Sequence, residues 1–470
     1  CLYPWITMEA ATRIYFCNSP RHFQIAASYV DCSIFKFPSN YFGGNDAFKP
    51  RVIPIGPYHR MESHLQEFVE YKDVYFVEML RRLDIGLQDL IDAISHKESD
   101  ARKCYSHSFD LSKDDFLRML VIDGCFLLEF FRRYLRLYPY SPDPLIYFPW
   151  ASFFAEDFLK VGNQIPFSIL KILHNSTEHE AVDGISRTLP SLVLTFYSWF
   201  IDLPSKSVFS SEPQHLLDYV RLSIVGTLSQ NNVTVARPPP SYLRRLFNAI
   251  HSSTEVFLKV LRSGQSNGPP EPLVAVHQRK LTSLVPAFSV LRRSNIKVKA
   301  KTETAYSFLD VSFENGLLMM PELVVTDFML PFIMNCIYYE QASSRTEPER
   351  CFTAYATLLD CLVNTVEDIK ILDGKKVIGN WLGSEQELVD FINNLCTNKW
   401  ITIEDCYLKQ VFEDINAYHR NPWHVGLGGF KSAYFRSPWV FISALAATTL
   451  LILTSTQTVY SILSFLKDPK

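Results

Sequence analysis

The stretch "DDFLRMLVIDGCFLLEFFRRYLRLY", residues 114–138, decides the fold class. Between Phe116 and Phe131 apolar residues cover most of the faces that a 3.6-residue repeat generates, so the segment reads as a central helix, buried on nearly all sides. Asp114 stands where an N-cap is wanted. Asp123 and Glu129 interrupt the apolar run. A catalytic carboxylate pair must converge, and a separation of six residues puts two side chains on different sides of a helix. Paired core or rim carboxylates are the reading this spacing favours.

A helix of that kind needs other helices around it, and the flanking sequence supplies them. Residues 62–94 place Leu65, Phe68, Val69, Tyr75, Phe76 and Met79 at helical spacing. Before them, "VIPIGPYHR" (52–60) is a stiff turn: Pro54 and Pro57 restrict the backbone on both sides of Gly56, its one permissive position. After the central helix, "NQIPFSILKIL" (163–173) is a polar turn at Asn163 and Gln164, followed by a helix that Pro166 starts. "LPSLVLTFYSWFI" and "HLLDYVRLSIV" are further apolar helices, and "RPPP" (237–240) opens another. "SGQSNGPPEP" (263–272) is the clearest linker in the chain.

Beyond the linker "FLDVSFENGLLMMPEL" alternates. Leu309, Val311 and Phe313 share a face, Asn315-Gly316 is a hairpin signal, and Leu317 and Met319 are expected to resume the alternation. Helices return with "FMLPFIMNCIYYEQ" and "CFTAYATLLDCLVN". "SEQELVDFINNLC" carries a capping box, Ser384 with Glu387. The expectation is a mainly α protein: a multi-helix globular body with one small β-hairpin element and a C-terminal transmembrane helix. Its parts are a poorly defined segment 1–30, an N-terminal helical part 31–262, the linker, a C-terminal helical part 273–430 and a membrane helix 437–466.

That last helix is the strongest physical signal. From Ser437 to Leu466 the sequence "SPWVFISALAATTLLILTSTQTVYSILSFL" holds 30 residues and no charge, against about 20 needed to cross the hydrocarbon core. Trp439 and Tyr460 stand near its ends, where amphipathic rings prefer the interface, and Arg436 and Lys467 bracket it. Six hydroxyl and amide residues between Thr448 and Gln457 can bond back to the helix or to a partner helix. Only "KDPK" follows, the arrangement of a tail anchor. Lysine and arginine on the two sides do not decide the orientation, and the absence of a secretory signal near Cys1 and Met8 favours a cytosolic body. Asn175-Ser176-Thr177 and Asn232-Val233-Thr234 would be glycosylation acceptors only if the body faced outward.

Composition narrows the partners. A net charge of −3 gives no global field that would draw the chain to nucleic acid. Only 17 glycines leave few places where bare backbone can wrap a phosphate. The ten cysteines include no C-x-x-C pair; Cys125, Cys336 and Cys361 lie in apolar helical runs and read as buried free thiols of a reducing compartment.

Short matches to catalytic motifs fail on context. "GQSNG" (264–268) spells a nucleophile elbow, but it follows a helical pattern and precedes "PPEP". His179-Glu180 begins like a zinc-protease motif, with Asp183 where the second histidine belongs. "GLGGF" (426–430) and "DGKK" (373–376) lack the rest of a nucleotide loop. "RRSNIKVKAK" (292–301) is a basic run that reads as a solvated edge leading into the hairpin, with acidic headgroups or a partner as the alternative.

In order along the chain, "DCSIFKFP" (31–38), "KPRVIPIGPYHR" (49–60), "MLVIDGCFLLEFF" (119–131), "NQIPFSILKIL", "HLLDYVR" (215–221), "FLDVSFENGLLMMPEL", "VNTVEDIKIL" (363–372), "NWLGSEQELVDFINNLC" (380–396, with Trp381) and "YFRSPWVFISALAATTLLIL" resemble the plant family called domain of unknown function 247. The resemblance runs from about Asp31 to the C-terminus. It implies a plant protein with a helical body, a C-terminal membrane helix and no established enzymatic activity. Some grass members are associated with pollen-side self-incompatibility, which implies recognition of a small secreted protein. The chain departs from the family pattern at Gly162, where an acidic residue is common, and at "YYEQA", which lacks a cysteine after the glutamine.

Two readings follow. The first is a membrane-anchored recognition or signalling protein, without catalysis and without cofactor or metal, whose partners are the lipid bilayer and another protein. The second is an enzyme of unrecognised type, with a polar site near His59, Asp123 and Gln164.

Overall fold

The structure, a computed structural model, describes residues 32–37, 46–135, 143–146, 150–178, 188–203, 211–231, 284–301, 307–343, 349–395, 406–422 and 438–467. The linker at 263–272, the helix expected after "RPPP", "GQSNG", His179-Glu180, "GLGGF" and Arg436 lie outside these residues.

The long apolar stretch is a helix, α4 in chain order. Before it come α1 (Gln66–Leu83), α2 (Leu87–Ser95) and α3 (Glu98–Lys103), and α4 itself spans Lys113–Tyr134. Its cap is Ser112, not Asp114: the Ser112 hydroxyl accepts the Asp115 N–H at 3.1 Å, and Asp114 already lies in the first turn. The continuous helix expected over 62–94 is two helices. Asp84 turns left-handed at φ 52°, and the Asp89 carboxylate accepts the Gly86 N–H at 2.8 Å to start α2 afresh.

Phe116, Phe126, Phe130 and Phe131 of α4 are fully buried, each contributing about 1.5–3 kcal/mol by leaving water. They meet α1, α2, α6 (Phe167–Thr177) and α7 (Leu189–Tyr197), with α5 (Trp150–Asp157) adding Phe154 to the same aromatic cluster.

The remaining helices among the described residues are α8 (Leu216–Asn231), α9 (Phe288–Leu291), α10 (Met329–Ala342), α11 (Cys351–Leu362), α12 (Val366–Asp373), α13 (Glu385–Leu395), α14 (Lys409–Arg420) and α15 (Pro438–Lys467). Residues on both sides of the linker share one apolar core. α10 packs on α8, α11 and the turn Asp46–Phe48. Ser384 caps α13 as expected, accepting the Glu387 N–H at 3.1 Å. Cys125 and Cys336 are buried free thiols, and Cys361 is half-buried.

The β structure is small. β1 (Lys297–Lys301) runs parallel to β3 (Leu317–Pro321), which pairs antiparallel with β2 (Ser312–Glu314); β4 (Leu323–Val325) and β5 (Ile378–Asn380) form a separate parallel pair. Asn315 and Gly316 make the expected hairpin turn, both left-handed at φ 51° and 80°. The inward face of β3 differs from expectation by one residue. A two-residue turn pairs Phe313 with Leu318, so Leu318 and Met320 are buried, and Leu317 and Met319 are half-exposed.

Candidate functional site

The segment Arg51–Gly56 belongs to no helix or sheet, so its backbone needs partners from elsewhere. Side chains supply them. The buried Asp157 carboxylate accepts the N–H groups of Arg51, Val52 and Ile53 at 2.7–3.0 Å. Asn163 Oδ1 accepts the Ile55 N–H at 2.6 Å, and its Nδ2 donates to the carbonyls of Ile53 and Asp157, both at 3.0 Å. Asp123 Oδ2 accepts the Gly56 N–H at 2.8 Å. Pro54 has no N–H, so every donor of the segment is engaged.

Lys72 of α1 completes this clamp. Its ammonium meets Asp123 Oδ1 at 2.5 Å and donates to the Pro54 carbonyl. Both side chains are buried, so each charge is tolerable only because the other is present. The adjoining loop is braced in the same way. Gln164 Nε2 donates to the carbonyls of Phe158 and Lys160 at 2.7 and 2.9 Å, and its Oε1 accepts the Leu217 N–H at 3.3 Å. Asn335 of α10 reaches in from the second half, accepting the Val161 N–H at 2.8 Å and donating to the Ala47 carbonyl at 2.8 Å.

Gly56 has φ +74°, and a Cβ there would stand 2.5 Å from the Gln164 carbonyl oxygen. Only glycine fits this approach. Pro57 follows it, and Pro166 stands at the N-cap of α6. Thus Pro54, Gly56, Pro57, Asp123, Asn163, Gln164 and Pro166, far apart in sequence, belong to one substructure. Asn315 and Gly316 lie elsewhere, against the Tyr418 ring of α14. Trp381 follows β5 and is 76% exposed.

His59, Asp123 and Gln164 all border this turn, but two of them are spent. Asp123 holds a lysine and a backbone N–H, and Gln164 has both ends of its amide engaged. His59 Nδ1 lies 2.5 Å from Glu62 Oε1, while its buried Nε2 has no hydrogen-bond partner. That nitrogen looks onto Gly162, where a Cβ would lie 3.2 Å away. Gly162 therefore brings no side chain to it. Burial holds the imidazole below its ordinary pKa, against the opposing pull of Glu62.

Burial also raises Asp157, to about 6, with Lys160 and the three backbone donors pulling the other way. A second buried group joins the two halves of the chain. Arg221 of α8 binds Asp218 at 3.0 Å and Glu340 of α10 at 3.4 Å, and Glu340 accepts the N–H groups of Phe352 and Thr353 at 3.1 and 2.9 Å, capping α11. The Asp123 and Glu129 carboxylates of α4 are paired core groups as the spacing indicated, Glu129 with Arg82 at 2.7 Å and Arg132 at 3.0 Å.

Asp157, Lys72, Asn335 and the Arg221–Glu340 pair escaped the sequence reading. The available signal was charge inside apolar helical runs, as at Glu156 and Asp157 in "FFAEDFL". Among the described residues no group of three or more His, Cys, Asp or Glu side chains is arranged to hold a metal ion.

The profile of DUF247, described as plant protein of unknown function, matches residues 34–453. The chain belongs to this family. Among DUF247-like relatives, a UPF0481 protein of Arabidopsis thaliana is 29% identical over 455 residues, covering 95% of this chain and 89% of the relative. A putative UPF0481 protein of the same plant is 24% identical over 486 residues, covering 91% and 90%. No solved structure matches the chain. Within this DUF247 chain Gly56, Asp123, Asn163 and Gln164 lie in the stretches "KPRVIPIGPYHR", "MLVIDGCFLLEFF" and "NQIPFSILKIL", which carried the resemblance, and Lys72, Asp157 and Asn335 lie outside them.

At the other end of the chain α15 contains a 20-residue span, Leu445–Ser464, with mean hydropathy 1.2 and none of it buried. The helix is long and apolar enough to cross a membrane. Trp439 and Tyr460 are exposed on it, and Lys467 is its last residue. Six of its hydroxyls are satisfied internally: Ser443, Thr449, Thr454, Ser455, Thr456 and Thr458 each donate to the carbonyl four residues back at 2.8 Å.

Proposed function

We propose that this protein is a single-pass plasma-membrane protein whose helical body faces the cytosol and works in recognition or signalling through contact with another protein, without catalysis. The observation that carries the reading is α15: an apolar helix with no cover from the body, six of its hydroxyls turned back onto its own backbone, is what a bilayer accepts. The polar interior adds support, because the buried carboxylates and amides around Gly56 are engaged in holding backbone. Exposed Trp381 and Trp199 offer aromatic anchors of the type enriched at protein interfaces.

The finer reading is self-incompatibility-type pollen recognition with a small secreted partner, which rests on the resemblance to grass members. It requires the body, or the partner, to cross to the same side of the membrane. Protease protection on membranes carrying a tagged chain, with glycosylation at the exposed Asn175 as a second reporter, decides the side. Pull-down from plant membranes then recovers a specific protein if the recognition reading holds. A purified chain that binds nothing and turns over a metabolite sinks it.

The enzyme alternative draws on one observation, the unpartnered His59 Nε2. It requires a substrate to reach a nitrogen that faces Gly162. Turnover by the intact chain that is lost in His59→Gln would establish it; no metabolite consumed by either form removes it.

A further inference from the structure

The basic run at 292–301 brings four exposed cations close together in sequence, on a turn and the strand that follows it. Arg292 and Arg293 are exposed on the short turn Arg292–Ser294, and Lys297 and Lys299 are exposed on β1, the edge strand of its sheet. None of these four makes an ion pair among the described residues, whereas Lys301 is neutralised by Asp310 at 3.1 Å. The register sets Lys297 beside the half-exposed Leu317 and Lys299 beside the half-exposed Met319, with Glu314 the acid on the far strand. Four cations without an ion pair among the described residues, two of them beside half-exposed aliphatic groups, suit an interfacial surface better than a solvated edge.

The place of this face in the chain identifies its occupant. Ser294 Oγ lies 2.7 Å from His419 Nδ1, and Phe313 meets the Tyr418 ring edge-on at 5.8 Å, so the basic turn is fixed to the C-terminal end of α14. Arg420 ends that helix, and residues 421–437 connect it to α15. A connection of that length spans at most about 60 Å when fully extended. The face is thereby tethered within reach of the bilayer that α15 enters, at high effective concentration.

We infer that Arg292, Arg293, Lys297 and Lys299 dock the body onto the anionic surface of the membrane that α15 crosses. The inference rests on the membrane reading of α15. Each basic residue near an anionic surface strengthens association about fivefold, and salt weakens it. Docking orients the body, and with it Trp381 and Trp199, relative to the bilayer.

The test uses the full chain in nanodiscs of phosphatidylcholine alone or with added phosphatidylserine. Lysines are acetylated with a water-soluble reagent and read by mass spectrometry, with exposed Lys103 as reference. Docking makes Lys297 and Lys299 react several-fold more slowly in the anionic discs, with full reactivity restored at 1 M salt. In Arg292→Gln/Arg293→Gln the association weakens about 25-fold and protection disappears at lower salt. Equal reactivity in both lipids while α15 remains disc-bound overturns the inference and leaves the anchor standing. Protection that appears only when an acidic protein is added also overturns it, in favour of a protein partner. A chain that never enters the discs defeats the anchor reading and this inference together.

Discussion

Asp123 on α4 accepts the backbone N–H of Gly56 at 2.8 Å while its other oxygen binds Lys72 at 2.5 Å. One carboxylate thus joins the central helix α4, the first long helix α1 and the turn Pro54-Ile55-Gly56-Pro57. That turn is the place where α1 and α4 are fastened to the polar loop at 163–166.

Replacing Asp123 with Ala strips the buried Lys72 of its counter-charge and leaves the Gly56 N–H unpaired. The expected cost is about 3–5 kcal/mol, read as a fall in the denaturation midpoint of the detergent-solubilised chain. Asp123→Ala combined with Lys72→Met recovers a large part of that loss. If the single variant unfolds with the wild-type midpoint, the clamp has no energetic weight.

Gly56→Ala places a Cβ against the Gln164 carbonyl at a backbone angle that L-residues rarely adopt. Destabilisation of about 1–3 kcal/mol is expected from the strain, more if the loop at 163–166 shifts. A variant as stable as wild type would show that the turn is not closed on Gln164.

The fold was legible where the signal was local. Asn315-Gly316 fixed a hairpin because two successive residues with positive φ are required, and the apolar run from Phe116 to Phe131 announced a buried helix. Ser384 announced its own cap. Long-range pairs were not legible. Lys72 and Asp123 are 51 residues apart, and Arg221 and Glu340 are 119 apart. No periodicity links such positions, because it is packing that brings the partners together. Errors of one or two residues, Asp114 for Ser112 and Leu317 for Leu318, arose where a cap or a turn length sets the register.

Glu340 and Arg221 couple the halves on either side of the linker. Glu340→Ala uncaps α11 and leaves a buried guanidinium with Asp218 alone; about 3–5 kcal/mol should be lost. Glu340→Met and Arg221→Met together should cost less than the sum of the two single changes, because each single change already breaks the pair they share, while Asp218 loses its guanidinium whenever Arg221 is removed. Additive losses in that double-mutant cycle would show that the two residues do not interact.

His59 makes stability depend on pH in a defined direction. Its folded pKa lies below the ordinary 6.5, so the unfolded chain binds more protons between the two values. The stability that the neutral imidazole contributes is present above about 6.5 and is lost as pH falls through the folded pKa. His59→Gln removes this component. Comparing the pH profiles of denaturation for the two proteins isolates it, and parallel profiles below pH 6.5 would contradict the burial argument.

The membrane anchor is the claim on which the functional reading rests, and alkaline carbonate extraction of the full chain from plant membranes tests it most directly. The wild-type chain should stay in the membrane pellet. Leu451→Arg/Leu453→Arg, which puts two charges into the apolar span at about 2.5–3.5 kcal/mol each, should appear in the supernatant. A wild-type chain released by carbonate as readily as that variant would contradict the account.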